Sequence, residues 1–175
     1  QRAQGSTDSS TIHPDLIGDR CVGPWLALCP EYSVVLEDEL GVCGCVLGVV
    51  DVRSFAKRCQ ACWMPAMRDK YPACTGHANT QQLEDDQGEY HDSILYHFPS
   101  QLQLDALPDL VDVSVTRCLL TALLTALKAN GSQGVFCEIQ PTDRMRLEFL
   151  TKLGFLEIPR GDARHREGMV LGRLL

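Results

Sequence analysis

Residues 101–106 alternate strictly, with Leu102, Leu104 and Ala106 on one side of an extended chain and Gln101, Gln103 and Asp105 on the other. This is the period of a strand with one face in the core. Beyond Asp112 the period changes: Val115, Cys118, Leu119, Ala122, Leu123, Ala126 and Leu127 recur at three- and four-residue spacing, which predicts a helix. Asn130 and Gly131 supply its stop, and Ser114 or Asp112 is placed to cap its start. Gly134–Ile139 then reads as a buried strand, 142–153 as a helix stopped by Gly154, and 155–158 and 169–173 as strands. Strand and helix in such succession leave few folds, and predict an α/β domain with a mostly parallel or mixed sheet under packed helices.

Upstream, 32–51 holds two β-rich runs around an acidic turn at 37–41, a hairpin signature in which Glu37, Asp38 and Glu39 are solvated turn residues. Residues 53–71 predict one or two short helices around Pro65. The stretch 74–93 combines Gly76, Asn79, Gln81, Gln82 and clustered acids with no sustained apolar period, so it is expected to be a mobile insertion. Residues 1–11 are expected to be a flexible tail, and 12–175 a single domain. A chain that starts at Gln1 without a charged-then-apolar leader is read as a fragment of a longer protein.

The composition, 45% hydrophobic and 22% charged, is that of a soluble globular domain, and no apolar run approaches the ~20 residues that span a bilayer. Of the nine cysteines, Cys43, Cys45, Cys118 and Cys137 fall in apolar segments where free thiols act as small hydrophobes, and the odd total leaves one unpaired in any full disulfide scheme. A reducing compartment is expected. The net charge of −7 argues against nucleic acid or an anionic membrane as partner. No Lys or Arg occurs between Lys70 and Arg117, while Glu84, Asp85, Asp86, Glu89, Asp92, Asp105, Asp109 and Asp112 all do. A ligand with several phosphates meets this stretch unfavourably.

The order of elements, with Leu107-Pro108 closing a strand and Phe149-Leu150-Thr151-Lys152-Leu153-Gly154-Phe155 ending the last helix, resembles the GNAT acetyltransferases. That resemblance implies a splayed central sheet with helices on both faces. Within the superfamily, Gly23-Pro24-Trp25-Leu26-Ala27-Leu28-Cys29-Pro30, Val35-Leu36-Glu37-Asp38, Gly48-Val49-Val50-Asp51-Val52, Leu127-Lys128-Ala129-Asn130-Gly131-Ser132, Phe136-Cys137-Glu138 and Leu171-Gly172-Arg173 look like the C-terminal, pseudo-histone acetyltransferase domain of animal O-GlcNAcases. The resemblance implies a parent glycoside hydrolase of cytoplasm and nucleus, whose catalytic carboxylates sit in another domain, with that parent's other domains among the partners.

Working members of the superfamily wrap the coenzyme pyrophosphate with a Gln/Arg-x-x-Gly-x-Gly/Ala loop, because helix N-terminal N–H groups must approach phosphate without Cβ atoms in the way. Here Val111, Ser114 and Thr116 stand at those positions, with Thr116 expected to project toward the phosphates; only Arg117 keeps the pattern. Asp109 and Asp112 add like charge. The family's acid, a Tyr two residues before Lys-Leu-Gly-Phe, is Leu150, which donates no proton. Asp105 is the one placed base. These departures predict no cofactor and a protein or peptide partner; the alternative is an active N-acetyltransferase on acetyl-coenzyme A, acting on protein or a small amine with Asp105 as base. A splayed sheet with free edges also accepts an added peptide strand. Trp25 and Trp63 are read as core first and as groove lining second. Cys59, Cys62, Cys74 and His77 have zinc-ligand types and spacing, but a cysteine-rich chain provides such pairs incidentally, and no metal is expected.

Overall fold

The computed structural model describes residues 15–71, 90–106, 113–159 and 168–175. The expected tail 1–11 and residues 74–89 of the expected insertion lie outside them. The chain opens with α1 (Leu16–Cys21) and α2 (Gly23–Leu28), neither foreseen from the sequence, and a 3-10 turn at Pro30–Tyr32. The hairpin follows as β1 (Ser33–Asp38) and β2 (Gly41–Val49). Then come α3 (Val52–Arg58), a π turn at Cys59–Trp63 and α4 (Met64–Lys70). Pro65 is tolerated because the continuous helical backbone from α3 to α4 widens into the π turn just ahead of it, which makes room for its ring and its missing N–H.

The second half comprises α5 (Asp92–His97), β3 (Ser100–Ala106), α6 (Ser114–Ala129), β4 (Gly134–Ile139), α7 (Arg144–Lys152), β5 (Leu156–Glu157) and β6 (Met169–Leu174). Gly131 and Gly154, at φ +92° and +85°, take the left-handed conformation that ends α6 and α7. Where the insertion was expected to run on to 93, Tyr90 packs edge-on against Phe136 and Asp92 begins α5. An aromatic ring and a helical turn at 90–97 overrode the weak local pattern.

The six strands lie in the order β1-β2-β3-β4-β6-β5, and every neighbouring pair is antiparallel except β3–β4. Helices cover both faces. On one, α6 and α7 bury Leu120, Leu123, Leu124, Leu127, Phe149 and Leu150 against Val46, Leu102, Leu104, Val135 and Leu171. On the other, Trp25, Val52, Phe55, Cys59 and Ile94 close over Leu47, Val49, Phe136 and Val170. Trp25 is core, with its ring 5.5 Å from that of Phe55, and Trp63 packs half-buried beside Leu16, Met64 and Met67.

The buried stripe of α6 is not the expected one. Thr116, Leu120, Leu123, Leu124 and Leu127 face inward, while Val115 is 56% exposed and Cys118 and Ala122 face solvent. Consecutive leucines at 119–120 and 123–124 allow two adjacent stripes, and the one with four leucines removes more apolar surface from water, at roughly 1.5–3 kcal/mol per side chain. The N-cap is Val113, whose side chain makes no capping bond; Ser114 is already helical, and Asp112 lies outside the described residues.

The parallel pair β3–β4 is short. It holds only Ser100 opposite Val135 and Gln101 opposite Phe136, after which the two strands diverge. At that apex the Ser100 and Ser132 hydroxyls, 0% and 6% exposed, hydrogen-bond to each other at 2.6 Å. Ser100 also reaches the Val50 carbonyl and Ser132 the Gly134 carbonyl. Removing one hydroxyl leaves buried polar atoms without partners, so Ser100→Ala is expected to cost about 1–3 kcal/mol in denaturant unfolding. A loss below the resolution of that measurement contradicts the role given to the clasp.

Candidate functional site

Past Gln101 and Phe136 the diverging strands enclose a wedge, and a cleft of about 250 Å³ lies there. Its walls are Gln101, Leu102, Gln103, Leu104 and Asp105 of β3, Glu138 of β4 and Arg146 of α7. Alternation along β3 sends Leu102 and Leu104 into the core and leaves Gln101, Gln103 and Asp105 on the other face. Glu138 interrupts the apolar run of β4.

Arg146 is positioned by the cap of α7. The Asp143 carboxylate accepts the backbone N–H of Arg146 at 3.0 Å, which winds the first turn so that the guanidinium reaches the cleft. Its Nε stands 3.4 Å from Asp143 Oδ2 and its Nη2 3.9 Å from Asp105 Oδ1. These separations make ion pairs but no hydrogen bond, and the buried Nε has no hydrogen-bond partner. Nearby, Tyr90 donates its hydroxyl to Glu138 Oε2 at 3.0 Å and accepts from Gln101 Nε2 at 3.1 Å, so one phenol links the two arms of the wedge.

The thiols beside the cleft are held protonated. Burial pushes the Cys137 thiol up to about 12, against the opposing pull of Arg146, so it stays protonated at neutral pH. Cys45, in register with Asp105 across β2 and β3, is raised by burial and then by that carboxylate.

Of the residues singled out from the sequence, Asp105 alone is in the cleft, its side chain 68% exposed. Ser114 and Arg117 are exposed on α6, whereas Thr116 is 1% exposed and turned inward, so it does not project toward a ligand as expected. The helix rotation that buries four leucines carries Thr116 with them. Val111 lies outside the described residues. Leu150 is wholly buried in the core and lines no part of the cleft. Cys118 is exposed, contrary to its expected place in the core. Cys59 is buried and Cys62 exposed, Cys74 and His77 lie outside the described residues, and among the described residues no three metal-ligating side chains cluster.

Sequence reasoning missed Tyr90, Glu138 and Arg146. Glu138 was visible as a lone charge inside an apolar strand; Tyr90 and Arg146 gave no signal, since their place depends on a long-range approach.

An open six-stranded sheet parted at its one parallel pair, with helices on both faces, defines a GNAT acetyltransferase-like domain. Among solved structures, SsHAT superposes with a TM-score of 0.72 at 26% identity, over 93% of this chain and 81% of that one. The apo form of an agmatine N-acetyltransferase mutant superposes at 0.51 with 15% identity, over 86% and 80%, a likeness of fold alone. No family model matches. In sequence the chain is similar to protein O-GlcNAcase: it is 41% identical over 169 residues, 93% of its length, to the proteins of rat and of mouse. It spans 18% of the length of those relatives. The kinship read from the motifs, to the acetyltransferase-like domain of O-GlcNAcases, therefore holds.

Since Leu150 is sealed in the core, Leu150→Tyr is expected to overpack it at a cost of about 1–3 kcal/mol and to create no acetyl transfer. Thermal unfolding beside an acetylation assay checks both; a stable, acetylating variant shows that the position opens onto a reaction centre.

Proposed function

We propose that this is a non-catalytic pseudo-histone acetyltransferase domain of a protein O-GlcNAc hydrolase of cytoplasm and nucleus, serving as an interaction module. The observation that carries the reading is the first turn of α6, where the exposed Ser114 presents a side chain at a position that working members give to glycine. A pyrophosphate held at a helix start needs close approach to bare N–H groups, and the Ser114 side chain stands in that approach. Leu150 supports the same reading, because no proton donor stands where the family places one. A ligand at ~100 times its Kd stabilises a fold by about 2.7 kcal/mol, so thermal melting with millimolar acetyl-coenzyme A is a sensitive test. No resolvable shift is expected.

A second reading, an acetyl-coenzyme A-dependent N-acetyltransferase, is favoured by the exposed Asp105 carboxylate in a cleft that also holds Glu138 and a phenol-linked glutamine. Coenzyme binding with amine acetylation that disappears in Asp105→Ala establishes it and overturns the first.

Hydrolysis of the sugar belongs to another part of the parent in this reading. The chain spans 18% of the length of its O-GlcNAcase relatives, which supports this reading. The isolated chain is expected to release no N-acetylglucosamine from glycosylated peptides; turnover lost in Glu138→Gln places the hydrolytic pair here instead.

A further inference from the structure

β3 is paired with β2 from Gln101 to Ala106 but with β4 only at Ser100 and Gln101. From Leu102 onward its second edge therefore faces the wedge. β4 is paired with β6 along its whole length, and from Cys137 to Ile139 it turns its other edge to the same space. Unpaired strand edges are templates for a further extended chain.

The side chains around this space suit a peptide backbone. The Arg146 guanidinium only donates, and none of its five N–H groups is hydrogen-bonded within the described residues. Asp105 and Glu138, when ionised, only accept, and Gln103 does both. A peptide group carries one donor and one acceptor and meets both kinds. The charges then choose among peptides. Asp105 is 68% exposed at the mouth, and Glu37, Asp38 and Glu39 stand at the same end of the sheet, because Gly44 is in register with Ala106 just after the hairpin turn. An opposite charge beside a carboxylate is attracted more strongly at a protein surface than in bulk water.

We propose that the wedge between β3 and β4 docks an extended segment of a partner polypeptide, with a basic side chain at its mouth beside Asp105. The docking rests on the reading of the domain as an interaction module and names the kind of partner. The apex closed by Ser100 and Gln101 admits the segment from the mouth only.

The test uses the whole chain with end-capped, fluorescein-labelled decapeptides of alternating threonine and lysine, threonine and glutamate, or proline and lysine, followed by anisotropy and by backbone amide shifts. The threonine–lysine peptide is expected to bind, moving the amides of 102–105 and 137–139. The glutamate peptide is expected to bind roughly tenfold more weakly or worse, about 1.4 kcal/mol, and the proline peptide, which lacks half the donors, to lose affinity likewise. Asp105→Asn and Arg146→Gln are each expected to weaken binding roughly three- to tenfold while keeping the melting temperature and amide dispersion of the parent. Absence of binding at millimolar peptide, shifts scattered over the acidic surface, or unchanged affinity in both variants overturns the proposal. Acetyl-coenzyme A added as competitor separates the two readings. Displacement of a wedge-bound peptide together with amine acetylation sinks the non-catalytic reading and leaves the docking site standing. Failure of the peptide with no effect of coenzyme sinks the docking alone.

Discussion

The two-residue parallel ladder at Ser100–Val135 and Gln101–Phe136 is the constraint on which the domain depends. Every other junction of the sheet is antiparallel, so β3–β4 is the seam between two antiparallel halves, β1-β2-β3 and β4-β6-β5. Were it long, the sheet would be continuous and there would be no cleft. Were it absent, only helix packing would join the halves. The buried Ser100–Ser132 clasp holds the seam at one end, tying β3, the end of β2 and the turn into β4. Beyond the apex the backbone groups of the two strands no longer pair with each other.

Helices on the two faces keep the halves from separating. The four inward leucines of α6 meet side chains from both sides of the seam, Val46, Leu102 and Leu104 on one half and Val135 and Leu171 on the other. The opposite face is bridged by Phe136, against which Tyr90 packs with ring centroids 4.6 Å apart. Tyr90 is thus both an apolar brace and, through its hydroxyl, the polar link from Gln101 to Glu138. Such a phenol spans the strands where they cease to bond directly.

The chemistry of the cleft follows from what stands in it. An arginine whose buried Nε has no hydrogen-bond partner, two carboxylates and two glutamines line the pocket with donors and acceptors, and burial holds the neighbouring Cys137 thiol protonated. Leu150 on the last helix is buried in the core.

The sequence by itself determined the hairpin, the helical character of 53–71, the order of elements from β3 onward, the half-buried character of β3 and the stops at Gly131 and Gly154, because these rest on local periodicity and backbone conformation, whereas α5 escaped it. It also carried the kinship, because the motifs that resemble the O-GlcNAcase C-terminal region are legible without coordinates. Tertiary structure alone decided which of two stripes on α6 is buried, since neighbouring leucines satisfy both and only the shape of the sheet chooses; Thr116 went inward and Cys118 outward on that choice. The cleft was likewise a tertiary product. Asp105, Glu138, Arg146 and Tyr90 come from separate elements with no shared spacing, and they meet because a parallel ladder ends after two residues, a length that no local pattern encodes.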